Sequence, residues 1–424
     1  MRLVCNHSHL RGEVKIPGSK SHTIRAVAVA SLAPGESAIR APLDSRDTRA
    51  AAAAYRALGA SIELDPEAWL VHGTGGDIRI PEDVINVENS GVTLRTAMGA
   101  CALLRDGLAI LTGDEQIRRR PAGPLAASLN DLGANVQSTR GAGTAPFVVG
   151  GRLRGGETSI EAFTSQYLSS LLINCPLSDG DTVIDVPVLN EAPYIEMTLD
   201  WLRRQGIAFE QEELRKFRIP GRQQYQPVDR AIPADFSSAT FFLGAGALGD
   251  NDILLRGLDM NDPQGDKAVV EYVRRMGAEV TVSEDAIHVR ARDLVGCEFD
   301  LNATPDALPT LAVLGCFARG TTRLLNVPQA RAKETDRIAV MGAELTRLGA
   351  RVEELEDGLV VHESKLTGAE VNGYGDHRVV MALALAGCAI PGTTTIRGAE
   401  AAAVTYPQFV DHMLSLGAQI TAEE

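Results

Sequence analysis

"RRMGAEVTV", residues 274–282, decides the fold once it is set beside five other stretches of the same form. These are "RALGASIEL" (56–64), "NDLGANVQS" (130–138), "RRQGIAFEQ" (203–211), "TRLGARVEE" (346–354) and "LSLGAQITA" (414–422). Their glycines, Gly59, Gly133, Gly206, Gly277, Gly349 and Gly417, stand 74, 73, 71, 72 and 68 residues apart. A period near seventy along a chain of 424 residues means six copies of one unit. Each glycine follows a helical apolar pattern and precedes a short alternating run. It therefore reads as the left-handed residue that ends a helix and releases the chain into a strand.

Working upstream, each copy carries a turn and then a strand, as in "PGESAIRAP", "DGDTVIDVP" and "PGTTTIRGA". Before that turn lies a run of small apolar residues: "AVAVASLA", "MGACALL", "LLINCPL", "FFLGAGAL", "LAVLGCFA" or "ALALAGCAI". One copy thus reads strand, small-residue helix, strand, loop, second helix, strand. A helix that is apolar all round is predicted to be buried, and the more charged second helix to face water. Six copies suggest two domains of three, with the small-residue helices inside and the sheets outside. The length suits two cores. Aromatic residues make up only 4%, so the cores must be built from Ala, Leu, Val, Ile and Gly.

The net charge is −14, which opposes binding to nucleic acid or to an anionic membrane. The longest apolar run, "VVMALALAGCAI", is too short to span a bilayer. None of the six cysteines forms a C-x-x-C pair. Cys101, Cys175, Cys316 and Cys388 lie in small apolar stretches and read as buried thiols in a reducing compartment. The opening residues "MRLVCNHSHLRGEV" lack the apolar core of a signal peptide, so a cytoplasmic enzyme is expected.

The chemistry should lie at the starts of the buried helices. There the sequence reads "GSKSHTIR", "NSGVTLR", "FTSQYL", "DFSSAT", "TPDALPT" and "YGDHRVV". Unpaired N–H groups and the helix dipole favour anions at such positions. Capping explains one polar residue per helix. It does not explain Lys20, Arg25, Arg95 and Arg378, because a cation is disfavoured at a helix start. An anionic partner would offset that cost. Loops after strands add Arg118, Arg119, Arg120, Arg331, Lys333 and Arg337 to an otherwise acidic chain, so a convergent anion site is expected.

Familiar cofactor motifs are missing. After Gly18 comes Ser19 and then Lys20, without the glycine spacing of a Walker loop, and no G-x-G-x-x-G, G-x-S-x-G or H-E-x-x-H occurs. The only histidine in a motif-like setting is His377 in "GYGDHR", and one His beside one Asp does not make a metal site. Acid–base work would then fall to carboxylates among the cations: Asp306, Glu334 and Asp376. For Asp306 and Asp376 simple capping is the alternative reading.

Together, "PGSKSHTIRA", "NSGVTLR", "GDEQIRRRPAGPL", "KETDRI" and "GDHRVVMAL" resemble the 5-enolpyruvylshikimate-3-phosphate synthase family, also called 3-phosphoshikimate 1-carboxyvinyltransferases. The resemblance runs in order over nearly the whole chain. The family that transfers enolpyruvyl to UDP-N-acetylglucosamine fits less well, because its pattern has Asn where Ser21 stands. The resemblance implies an α/β fold, a two-domain inside-out α/β barrel of six βαβαββ units. It implies domains at residues 19–229 and at 1–18 with 230–424, with the active site in the cleft between them.

It also implies a cytoplasmic monomer that needs no metal or organic cofactor and acts on phosphoenolpyruvate and shikimate 3-phosphate. By motif match Asp306 would face the hydroxyl of shikimate 3-phosphate and Glu334 would donate the proton. Lys20 would bridge both substrates, and Ser21 and Arg25 would hold the shikimate carboxylate. Thr164, Ser165, Gln166, Gln329 and Lys333 would also bind shikimate 3-phosphate. Asn89, Gly91, Arg120, Gln166, Arg337 and Arg378 would hold phosphoenolpyruvate.

Five positions depart from the common pattern. Ile24 and Gln329 stand where asparagine is usual, Val92 where threonine is, and Val404 where a lysine often is. Glu191, in "LNEAPY", replaces a serine that meets the acceptor's phosphate. A carboxylate there either pairs with a nearby Arg or Lys or marks a paralogue with a different or unphosphorylated acceptor; a paralogue that binds anions without catalysis is a separate alternative.

Overall fold

The computed structural model describes residues 1–424. They divide into two units, Gly18–Ile232 and Met1–Pro17 with Pro233–Glu424, each with its own apolar core. The first unit holds helices α1 (Lys20–Leu32), α2 (Arg46–Ala57), α3 (Gly91–Cys101), α4 (Gly123–Asp131), α5 (Ser165–Asn174) and α6 (Ala192–Arg204). The second holds α7 (Phe236–Gly246), α8 (Val269–Arg275), α9 (Leu308–Phe317), α10 (Arg337–Arg347), α11 (His377–Ala389) and α12 (Phe409–Ser415).

The odd-numbered helices are the small-residue runs, and they are buried nearly end to end. The even-numbered helices are amphipathic. In α2, for example, Ala50, Ala51, Ala54 and Tyr55 are buried while Arg49 and Arg56 are not. Ser45 starts α2 with a reciprocal cap, its hydroxyl accepting from Thr48 N while the Thr48 hydroxyl accepts from Ser45 N. All six repeat glycines have positive φ, between 68° and 111°, as the helix-ending role requires.

Each copy contributes to a four-stranded sheet with one pattern. A leading strand lies parallel to the strand after the buried helix, and two antiparallel strands follow. Thus Gly156–Ala162 runs parallel to Thr182–Leu189, followed by Lys216–Ile219 and Glu210–Glu212. Reading the residues alone placed one strand after each glycine. The structure has two, joined as a hairpin; Ser61–Leu64 pairs with Ala68–Thr74, Ser61 opposite His72. In the sixth copy the second strand comes from the far end of the chain. Arg2–Asn6 pairs antiparallel with both Thr393–Arg397 and Gln419–Glu423.

The first and fourth copies exchange leading strands. Arg11–Lys15 precedes α1 in sequence but lies parallel to Asp252–Arg256 in the second unit. Asp229–Ala231 precedes α7 but lies parallel to Pro34–Arg40 in the first. Each unit therefore keeps three complete sheets although the chain leaves and re-enters one of them.

Inside the first unit α3 packs on both α1 and α5, and inside the second α7, α9 and α11 pack on one another. Small residues set the spacing. A β-carbon at Gly99 of α3 would lie 2.4 Å from Asn174 Nδ2 and 2.6 Å from Ser170 Oγ of α5. These side chains donate across the same seam, Ser170 Oγ to Arg95 O at 2.6 Å and Asn174 Nδ2 to Thr96 O at 3.3 Å. Cys5, Cys101, Cys175, Cys316 and Cys388 are buried free thiols, and Cys297 is half-buried. No helix is long and apolar enough to cross a membrane.

Candidate active site

The residues singled out in the sequence fall into two clusters, one in each unit. In the first unit they sit on the opening turns of α1, α3 and α5. Lys20 is the first residue of α1 and its ammonium pairs with Asp47 Oδ2 at 3.1 Å. Ser21, half-buried, is the next residue. Arg25, one turn on, is buried and donates to four oxygens: Thr198 Oγ1 at 2.9 Å, Ser21 O at 3.1 Å, Ser169 Oγ at 3.3 Å and Tyr194 O at 3.1 Å. All four are neutral. Burial without a carboxylate partner pushes its pKa down to about 10. A desolvated cation surrounded only by neutral acceptors is well suited to receive an anion.

At α3, Ser90 and Gly91 open the helix beneath two guanidiniums. A β-carbon at Gly91 would lie 2.7 Å from NH1 of both Arg95 and Arg120, so any side chain there would have to displace the two guanidiniums. Arg95 donates to Gly91 O at 3.0 Å and to Pro121 O at 2.7 Å, and its guanidinium lies over the Tyr167 ring. The Tyr167 hydroxyl donates to the same Pro121 carbonyl at 2.8 Å. The loop carrying Arg120 is thereby tied to α3 and α5. Asn89 donates to Asp114 Oδ2 at 2.6 Å and Gln116 Oε1 at 2.7 Å, which fixes the other side of that loop.

Thr164 is the N-cap of α5, and Ser165 and Gln166 form its first turn. Gln166 Oε1 is buried without a partner. The Thr164 hydroxyl and both the amide and hydroxyl of Ser165 donate to Glu191 Oε2 at 3.1, 3.0 and 2.7 Å. The carboxylate flagged in the sequence is therefore seated on a helix start.

In the second unit the cluster centres on Arg337, the first residue of α10 and 1% exposed. Its Nε donates to Asp376 Oδ2 at 2.8 Å and NH1 to Asp306 Oδ1 at 2.7 Å. NH2 serves Glu334 Oε2 at 2.6 Å and Asp376 Oδ1 at 3.2 Å. Burial opposes the charge, but Asp376, Glu334 and Asp306 outweigh it and hold the guanidinium's pKa well above its ordinary value. Arg378 pairs with the other Asp306 oxygen at 2.8 Å. Asp306 lies in the short turn Pro305–Ala307 before α9, and both its oxygens go to guanidiniums. Asp376 caps α11, accepting from Arg378 N at 2.8 Å, and also grips Arg337. Gln329 is buried in the turn Pro328–Ala332 and donates to Asn302 O at 2.9 Å, while Lys333 follows that turn directly.

Some flagged cations are structural. Arg331 binds Asp336 at 2.7 Å and Glu354 at 2.8 Å, and Arg119 stays exposed near Glu115. Val404 is buried in an apolar turn, Ala399–Val404. The sequence reading missed Asp47, the partner of Lys20, and the Thr198–Ser169 pair beneath Arg25. Asp47, in the first turn of α2, looks like an ordinary helix-start carboxylate, and its partner is 27 residues away. Glu344, fully buried on α10, was also missed. It accepts from Asn372 N and from the Tyr374 hydroxyl, both at 3.0 Å, and so holds the loop that delivers Asp376 and Arg378.

This fold, with cations at the starts of its buried helices, is that of the enolpyruvyl transferases. EPSP synthase from Acinetobacter baumannii superposes with a TM-score of 0.84 at 26% identity, covering 99% of this chain and 100% of that one. The enolpyruvyl transferase NikO from Streptomyces tendae shares the fold, with a TM-score of 0.80 at 23% identity over 99% and 98% of the two chains. Within that class the chain belongs to the EPSP synthase family: the model for EPSP synthase (3-phosphoshikimate 1-carboxyvinyltransferase) matches residues 4–413. The 3-phosphoshikimate 1-carboxyvinyltransferase of Acetivibrio thermocellus is 53% identical over the full length of both chains. That of Ruminiclostridium cellulolyticum is 50% identical, and that of Methanosarcina acetivorans 43%, each over 99% of both chains.

Proposed function

We propose that this chain transfers the enolpyruvyl group of phosphoenolpyruvate to the 5-hydroxyl of shikimate 3-phosphate and releases phosphate. Family membership supports the reaction, and the Arg337 cluster is the observation that carries it. There two buried guanidiniums hold two carboxylates, Asp306 and Glu334. Addition of the hydroxyl to C2 requires a proton to leave that oxygen and one to join C3. Elimination then breaks the C–O bond to phosphate and removes a proton from C3. No atom changes oxidation state overall, so the work is proton transfer and anion binding.

In this reading Asp306 faces the hydroxyl and Glu334 serves C3. Arg120, Arg337 and Arg378 hold phosphoenolpyruvate, with Asn89, Gly91 and Gln166 beside them. Lys20 bridges both substrates. Ser21 and Arg25 take the acceptor's carboxylate, Thr164, Ser165 and Gln166 its phosphate, and Gln329 and Lys333 also hold the acceptor. The same reading includes a monomer and a cytoplasmic setting, and six unbridged cysteines support the second.

The test is phosphate release from phosphoenolpyruvate, with shikimate 3-phosphate or shikimate as acceptor. Release should depend on the phosphorylated acceptor. Asp306→Asn and Glu334→Gln should each lower kcat by about 10²–10⁴-fold, the range of general acid–base contributions. Equal turnover of shikimate, or unchanged rates in both variants, would defeat the reading.

A further inference from the structure

Glu191 has no part in that scheme, yet the fold goes to some trouble to place it. It is 2% exposed, and its backbone is left-handed, with φ 58° and ψ 40°. For a residue with a β-carbon that conformation costs about 1–2 kcal/mol. Glu191 stands at the N-cap of α6 but does not cap it. A side-chain cap there would add about 1 kcal/mol. Two local preferences are set aside, and the carboxylate goes instead to the start of a different helix, α5. One oxygen takes three donors there, all within 2.7–3.1 Å. That is the geometry of an anion on a helix N-terminus.

Those three donors are the ones assigned to the acceptor's phosphate under the proposed function, and the role of Glu191 rests on that assignment. A carboxylate oxygen and a phosphate oxygen cannot both use them. We propose that Glu191 is a resident anion that fills the phosphate seat of α5 while the acceptor is absent and sets the affinity for the phosphorylated acceptor by competing with it. Phosphate wins because it brings more charge and three acceptor oxygens. Its net gain is the difference between two anions on one site, not the full strength of the seat. The competitor keeps three donors, two of them buried, satisfied in the empty protein. It also raises the threshold for ligands, since an acceptor without phosphate has nothing with which to displace it.

The experiment is steady-state phosphate release by wild type, Glu191→Ser, Glu191→Gln and Ser165→Ala, with each substrate varied in turn. Removing the competitor should lower the acceptor KM about five- to tenfold in Glu191→Ser. Glu191→Gln, neutral but of the same shape, should fall between and carries the test if the serine variant does not fold. The KM for phosphoenolpyruvate should hold, which a general loss of structure would not allow. An acceptor KM equal to or above wild type in both Glu191 variants overturns the proposal. Ser165→Ala, made in the Glu191→Ser background where no competitor shares the loss, separates the two layers. A raised acceptor KM keeps the seat where it is assigned, and an unchanged one removes the seat and the competitor with it. Failure of wild type to release phosphate with shikimate 3-phosphate would instead be failure of the proposed function.

Discussion

Arg25 shows most directly how one residue trades stability for function. Its charge is buried among neutral oxygens, and its pKa falls well below the ordinary guanidinium value, to about 10. By linkage that shift is a penalty on the folded state, on the order of 3 kcal/mol while both states are protonated. Arg25→Met removes the charge and keeps the unbranched stem. The hydroxyls it leaves are still satisfied, because Thr198 and Ser169 bond each other at 3.0 Å and Thr198 also donates to Tyr194 O. The variant is expected to melt a few degrees above wild type at pH 8 and to lose acceptor binding by at least tenfold. Above about pH 10 the native state sheds the Arg25 proton before the unfolded state does. Wild-type stability therefore gains with rising pH, and the advantage of the variant shrinks. Thermal melts from pH 8 to 11 check both signs; a variant less stable than wild type at pH 8 would count against the burial penalty. At this scale the sequence is legible where a residue contradicts its local setting. Arg25, Arg95 and Arg378 stand out because cations do not belong at helix starts. Asp47 and Glu344 do not stand out, since a carboxylate on a surface helix is ordinary and their partners lie 27 and 28–30 residues away.

The seam between α3 and α5 carries the element-scale prediction. Glycine inside a helix normally costs about 1 kcal/mol against alanine, so Gly→Ala in a free helix stabilises. At Gly99 the sign should reverse. The new methyl would meet Asn174 Nδ2 and Ser170 Oγ, both committed to bonds across the seam. Overpacking of this kind costs about 1–3 kcal/mol. Gly99→Ala should lower the denaturant midpoint without changing the slope, and a raised midpoint would show that the seam has slack. Because α3 and α5 also carry Gly91 and Ser165 at their starts, both substrate KM values should rise with it. The helices themselves were legible from two signals, the small-residue runs and the glycines that end the second helices. The last strand of each copy was not. "AWLVHGT" and "GLVVH" follow turns of only a few residues and read as continuations of the strand before them, and "RLVCN" is supplied from the opposite end of the chain.

For the whole molecule, the repeat predicts six sheets but not which strands complete them. "RGEVK" and "DRA" carry nothing that marks the sheet each one joins, so their exchange between the first and fourth copies is a property of the folded chain alone. It has a consequence for fragments. Residues 18–232 contain every strand of their three sheets and a complete core. Residues 233–424 lack two strands, Arg2–Asn6 from the middle of one sheet and Arg11–Lys15 from the edge of another. Losing the first leaves Thr393–Arg397 and Gln419–Glu423 without the strand that joins them, and the exposed edges invite aggregation. Fragment 18–232 should therefore unfold cooperatively on its own, while 233–424 should not. Arg2 lies opposite Glu423, so the chain ends meet across one ladder and a short linker can join them. The permuted fragment 233–424–linker–1–17 should regain a cooperative transition, with a slope matching the surface of a domain its size. Urea titrations of the three fragments decide the matter. If 233–424 unfolds as cooperatively as the permuted form, the two N-terminal strands are decoration on a domain that closes without them.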